Sequence, residues 1–68
     1  MQEIIFMIQD SLDGGFEAKA VGYSIFTEAE SMEELKERII EAVDCHFEEG
    51  KKPKLIRLHY VKEEIIAA

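Results

Sequence analysis

Sixty-eight residues, 47% of them hydrophobic, suit one small globular domain and exclude a disordered segment. The single cysteine, Cys45, excludes an internal disulfide, and no cluster of His, Cys and acids has metal-ligand spacing, so self-association is the expected support for so short a chain. A net charge of −7 argues against nucleic acid, whose phosphates need clustered Lys and Arg, and leaves room for a small basic protein partner.

Glu3 to Gln9 reads as a strand that is apolar on both sides. Ile4, Phe6 and Ile8 point one way, and Ile5 and Met7 the other. Such a strand belongs inside a sheet with both faces covered, or on a face that meets another chain. Asp10 to Gly15 is the hairpin connection, with Asp13-Gly14-Gly15 supplying positions that tolerate positive φ. Phe16 to Val21 then alternates, with Phe16, Ala18 and Ala20 opposite Glu17 and Lys19. Gly22 marks a turn, and Ser24 to Ala29 forms a third strand whose Ile25 and Phe26 serve opposite faces.

Ser31 is an N-cap, and Glu34 three residues on completes a capping box. The helix is expected from Met32 to about Glu49, with Met32, Leu35, Ile39, Ala42, Val43 and His46 or Phe47 on its apolar stripe. Glu33, Glu37, Glu41, Asp44 and Glu48 take the other side. Gly50 fits the C′ position, with Lys51 and Lys52 beside the negative end of the helix dipole. Leu55 to Val61 is the fourth strand, with Ile56, Leu58 and Tyr60 on one face and Leu55, Arg57, His59 and Val61 on the other. The apolar Ile65-Ile66 that follows is expected to dock on the sheet or on a second subunit.

The expected fold is therefore α+β, one domain over residues 1–68: β-β-β-α-β, a four-stranded antiparallel sheet with one helix packed on one face. One helix covers one face. The other face carries Ile5, Met7, Leu55 and Val61, with Arg57 and His59 as polar contacts among them, expected to meet Glu3 or Gln9 across a strand. These six residues form the expected interface of a dimer or larger homo-oligomer, because an exposed apolar patch of this kind marks an interaction site.

Catalytic chemistry has little to stand on. Cys45 and His46 are helix neighbours about 100° apart and cannot form a compact dyad. A free cysteine is usually a small hydrophobe, and His46 near the helix end suits the last carbonyls. An accessory or vestigial enzyme using Cys45, His46 and His59 with Arg57 is the alternative, and a zinc site from the same Cys and His residues lacks a motif. Asp10, Asp13 and Glu17 gather near the first turn, where Asp ordinarily bonds its own backbone. Stacking of single-stranded nucleic acid on Tyr23, Tyr60 and Arg57 would need a basic groove that the charge balance opposes. No catalytic residue, cofactor or metal site is expected.

The blocks Asp13-Gly14-Gly15-Phe16 and Ser31-Met32-Glu33-Glu34-Leu35 resemble the hairpin and helix opening of the HicB-like antitoxin domain. The resemblance implies a helix on an antiparallel sheet, assembly into dimers or larger oligomers, and binding of a small basic ribonuclease toxin. Ser24-Ile25-Phe26-Thr27-Glu28-Ala29, Cys45-His46-Phe47 and Ile56-Arg57-Leu58-His59 are similar to short bacterial and archaeal proteins of that superfamily. Those proteins are often labelled 2-oxoisovalerate dehydrogenase subunit beta. A thiamine-dependent subunit needs a shared cofactor pocket and a phosphate site, which this chain does not supply. The chain also lacks the proline-rich stretch between strands two and three, and its sequence to Ala68 leaves no room for a DNA-binding segment. The resemblance thus implies a non-catalytic, antitoxin-like binding module. The run Ile4 to Ile8 is too short to span a bilayer, and no basic region precedes an apolar stretch as in an export signal, so the expected setting is the cytoplasm.

Overall fold

The computed structural model describes residues 2–62 and 64–68. Its elements follow the order β1 (Glu3–Asp10), β2 (Phe16–Ala20), β3 (Phe26–Ala29), α1 (Met32–His46) and β4 (Leu55–Tyr60). The strands form one sheet in the order β3-β2-β1-β4. The α+β class and the element order agree with the reading of the sequence.

The sheet is mixed rather than wholly antiparallel. β2 runs antiparallel to both β1 and β3, whereas β4 lies parallel to β1, with Ile4 opposite Ile56 and Phe6 opposite Leu58. The reason is topological. Two reversals leave β3 pointing the same way as β1, and α1 then carries the chain back to the end where β3 began. A strand entered from that end must run parallel to β1, and a helical crossover is the usual link between parallel strands.

The first hairpin closes through Ser11 N–H donating to the Gly15 carbonyl at 3.1 Å and Gly14 N–H to the Ser11 carbonyl at 3.2 Å. Gly15 has φ of 83°, and a Cβ there would lie 2.5 Å from the Ala29 carbonyl oxygen. Only glycine fits both demands.

Helix α1 starts as its cap requires: Ser31 Oγ accepts from Glu34 N–H at 3.2 Å. The other half of the capping box is replaced, because the Glu34 carboxylate turns to Arg38, with Nη2–Oε1 at 2.8 Å. The helix stops at His46, short of the expected Glu49. Phe47 becomes an extended C-cap whose side chain packs against the core, and Gly50 serves a later turn in which Lys51 N–H donates to the Glu48 carbonyl. Burying an aromatic ring there outweighs a further turn of charged helix.

Leu35, Ile39 and Val43 lie against Ile4, Phe6 and Ile8 of β1, Ala18 and Ala20 of β2, and Ile25 before β3. Full burial of each large aliphatic side chain contributes about 1.5–3 kcal/mol. The alanines on β2 let the helix approach closely. The backbone of α1 accordingly lies near β2 and β3 and does not approach β4, whose Ile56 and Leu58 remain only half-buried. No helix among the described residues is long and apolar enough to cross a membrane.

Candidate functional site

Strand pairing fixes which side chains share the face opposite α1. Ile5 and Met7 alternate with the buried Ile4, Phe6 and Ile8, so they point away from the helix and are partly exposed. In the parallel pairing Glu3 stands beside Leu55, Ile5 beside Arg57 and Met7 beside His59. Val61 follows β4 and donates its amide to the Ile8 carbonyl at 2.8 Å. All six residues of the expected interface therefore lie on one open side of the sheet. Leu55 and Val61 retain 62% and 41% of their exposure.

The patch is wider than those six. On β3, Phe26 is 58% exposed and stands opposite Lys19, which itself stands opposite Met7. Val21 is also exposed, and its amide donates to the Ile5 carbonyl. Phe26 was detectable from its alternation with Ile25. What joined it to Met7 was the strand order, which alternation does not supply.

Polar groups on this face are mostly paired within it. Arg57 donates to Glu3 Oε2 from Nη2 at 3.1 Å and from Nε at 3.3 Å. Gln9 Nε2 donates to Glu17 Oε1 at 2.6 Å. Arg57 thus takes the expected partner Glu3, while Gln9 turns to the adjacent strand. Pairing within the sheet lowers the cost of covering these groups, since an unmatched charge is expensive to desolvate. No buried polar side-chain atom among the described residues lacks a partner.

The residues of the enzymatic alternative are not brought together. Cys45 and His46 are exposed at the end of α1, where His46 lies edge-on to Tyr23 and Phe47 with ring centroids 5.9 and 4.9 Å apart. His59 and Arg57 lie on the opposite side of the sheet. No group of three or more His, Cys, Asp or Glu among the described residues could hold a metal.

The carboxylates of the first hairpin also diverge. Asp10 shares the helix side with Ile8, and Glu17 occupies the open side. A hollow beside the turn is lined by Asp13, Gly15, Glu28, Glu34 and Arg38 and is partly open to solvent. Nor do the aromatics form a stacking platform: Tyr23 packs on Phe47, Tyr60 meets Phe16 edge-on at 6.3 Å on the helix side, and Arg57 is on the other face.

The most perturbed ionisable group is structural. Lys52 Nζ donates to Asp44 Oδ1 at 2.6 Å, and that hydrogen bond, reinforced by the carboxylate charge, raises the ammonium above its ordinary pKa of 10.5. The pair straps the segment after α1 to the last helical turn.

Two relatives share most of this sequence. A UPF0150 protein of Archaeoglobus fulgidus is 56% identical over 52 residues, which make up 76% of this chain and 77% of that protein. A UPF0150 protein of Thermotoga maritima is 47% identical over 66 residues, or 97% of this chain and 93% of that protein. No family model matches the chain, and no solved structure does so significantly.

Proposed function

The chain belongs to the UPF0150 proteins, and for this member we propose a non-catalytic protein-binding module that self-associates through the open face of its sheet. The observation that carries the reading is the apolar row formed by Ile5, Met7, Leu55 and Val61, widened by Phe26, on a face that no element among the described residues covers. Exposed apolar surface edged by paired polar groups, here Arg57 with Glu3 and Gln9 with Glu17, is the usual form of an interface. The HicB-like resemblance supports the same reading, as does a core too small to be strongly stable alone. The separation of Cys45 and His46 from His59 weighs against the enzymatic alternative.

Sedimentation velocity tests the reading. The native chain should run as a dimer or larger species at about tens of micromolar, where an interface of ordinary size holds. Met7→Lys places an unpaired charge at the centre of the face and should leave a folded chain whose self-association is markedly weaker at that concentration. A native monomer, or a Met7→Lys chain that associates undiminished, removes the proposal.

A second reading is supported by the acidic outer side of α1, where Glu33, Glu37, Glu41 and Asp44 are all exposed. An antitoxin-like module would hold a small basic protein there, with the cytoplasm as the setting in which the free Cys45 stays reduced. Such binding should weaken steeply with added salt. A pull-down from the native host in which only copies of the chain are recovered would leave the homo-oligomeric role and remove this one.

A further inference from the structure

Besides the open face, a second apolar surface lies at the outer edge of β4. On the helix side, Ile39, Ile40, Ile56 and Leu58 line a groove of about 190 Å³ with Lys36 at its margin. It exists because α1 sits over β2 and β3 and leaves the β4 side uncovered. On the open side, Leu55 projects from the same strand. Since β4 ends the sheet, its outer main-chain groups have no strand partner among the described residues. The edge is thus apolar on the helix side, carries Leu55 on the other, and has free hydrogen-bonding positions between.

The segment after β4 has the matching character. Ile65 and Ile66 are 89% and 86% exposed, so they meet almost nothing of their own protomer. Adjacent residues of a strand point to opposite faces. A strand laid on the β4 edge would therefore put one isoleucine into the groove and the other beside Leu55. Charge agrees as well: Glu64 precedes the pair, Lys36 lies at the groove, and Lys54 directly precedes β4. The other free edge, β3, carries Glu28 and is followed by Glu30.

We propose that the 64–68 segment of one copy adds as a strand to the β4 edge of a second copy. A return onto its own β4 would need a tight reversal within residues 61–64, and Val61-Lys62-Glu63-Glu64 contains no Gly, Pro, Asn or Asp to make one. The shape of the protomer agrees. It measures 51 × 20 × 18 Å, with a radius of gyration of 13.3 Å against about 11 Å for a compact chain of this length. Strand addition to an exposed edge is an established mode of recognition, in which main-chain bonds give affinity and alternate side chains give specificity. This contact leaves the open face free and does not depend on that face being an interface.

Site-specific disulfide coupling between distinguishable copies tests the proposal. In a Cys45→Ser background, a tagged chain carrying Ile40→Cys is mixed with an untagged chain carrying either Ile65→Cys or Ile66→Cys. One of the two positions should couple across copies in preference to like-with-like products, and Met7→Lys should leave that coupling in place. Preferential coupling is overturned if neither position gives a mixed product, or if a chain bearing both cysteines closes only on itself. Independently, Ile65→Ser with Ile66→Ser should weaken self-association at least about tenfold, the effect of exposing one aliphatic side chain. Unchanged association also defeats the proposal. Loss of association with Met7→Lys but not with the isoleucine variants would keep the open face and remove this contact, and the converse would do the reverse.

Discussion

At the scale of single residues, three positions carry disproportionate weight. Gly15 combines positive φ with a Cβ site 2.5 Å from the Ala29 carbonyl oxygen, and a main-chain oxygen cannot swing aside as a side chain would. Gly15→Ala should therefore lose about 1–3 kcal/mol in urea unfolding, the range for a residue forced into such a conformation. Gly14 shares the positive φ but faces open space, so Gly14→Ala should cost less. Ser31 accepts one of the otherwise unpaired amides of α1, and Ser31→Ala should cost about 1 kcal/mol in the same measurement. The Lys52–Asp44 pair adds a dependence on pH. Its ammonium has a higher pKa folded than unfolded, so its contribution is complete below pH 10.5 and fades as pH rises through the folded value. Asp44→Asn should flatten that alkaline decline relative to the native chain. The effect should be small, because both side chains are half exposed.

At the scale of elements, local signals determined local structure. Alternation assigned every strand residue to its face, from Ile4 and Ile5 on β1 to Ile56 and Arg57 on β4, because a period of two admits only two placements. Ser31 set the start of α1, as a side-chain cap acts within one turn. What lay beyond reach depended on pieces distant in sequence. The end of α1 was set by Phe47 finding the core and not by Gly50, and β3 starts at Phe26 rather than Ser24 because Ile25 turns inward first. The parallel register of β4 was legible in principle, since a strand, a 15-residue helix and a strand make a crossover. The six residues proposed for the interface could be gathered from alternation alone, whereas the groove of Ile40, Ile56 and Leu58 could not. It arises from where α1 settles across the sheet. Leu35 and Ile39 hold it there, and either residue changed to Ala should cost about 2–5 kcal/mol by thermal or chemical unfolding.

At the scale of the whole molecule, one helix on a four-stranded sheet leaves a layer unfilled. The helix side accounts for the buried side chains Ile4, Phe6, Ile8, Leu35, Ile39 and Val43, and the open side holds apolar groups that water still reaches. A second copy set face to face would complete a four-layer particle, helix-sheet-sheet-helix, without any change in the protomer, as closed twofold assemblies commonly do. Association should then raise stability with concentration, so the unfolding midpoint of the native chain should climb more steeply on concentration than that of Met7→Lys. The most direct measurement is an isotope-filtered nuclear Overhauser experiment on a mixture of labelled and unlabelled copies. Contacts between copies should appear at the methyl groups of Ile5, Met7, Leu55 and Val61. Their absence in a sample that is fully folded and concentrated enough to associate would contradict the account.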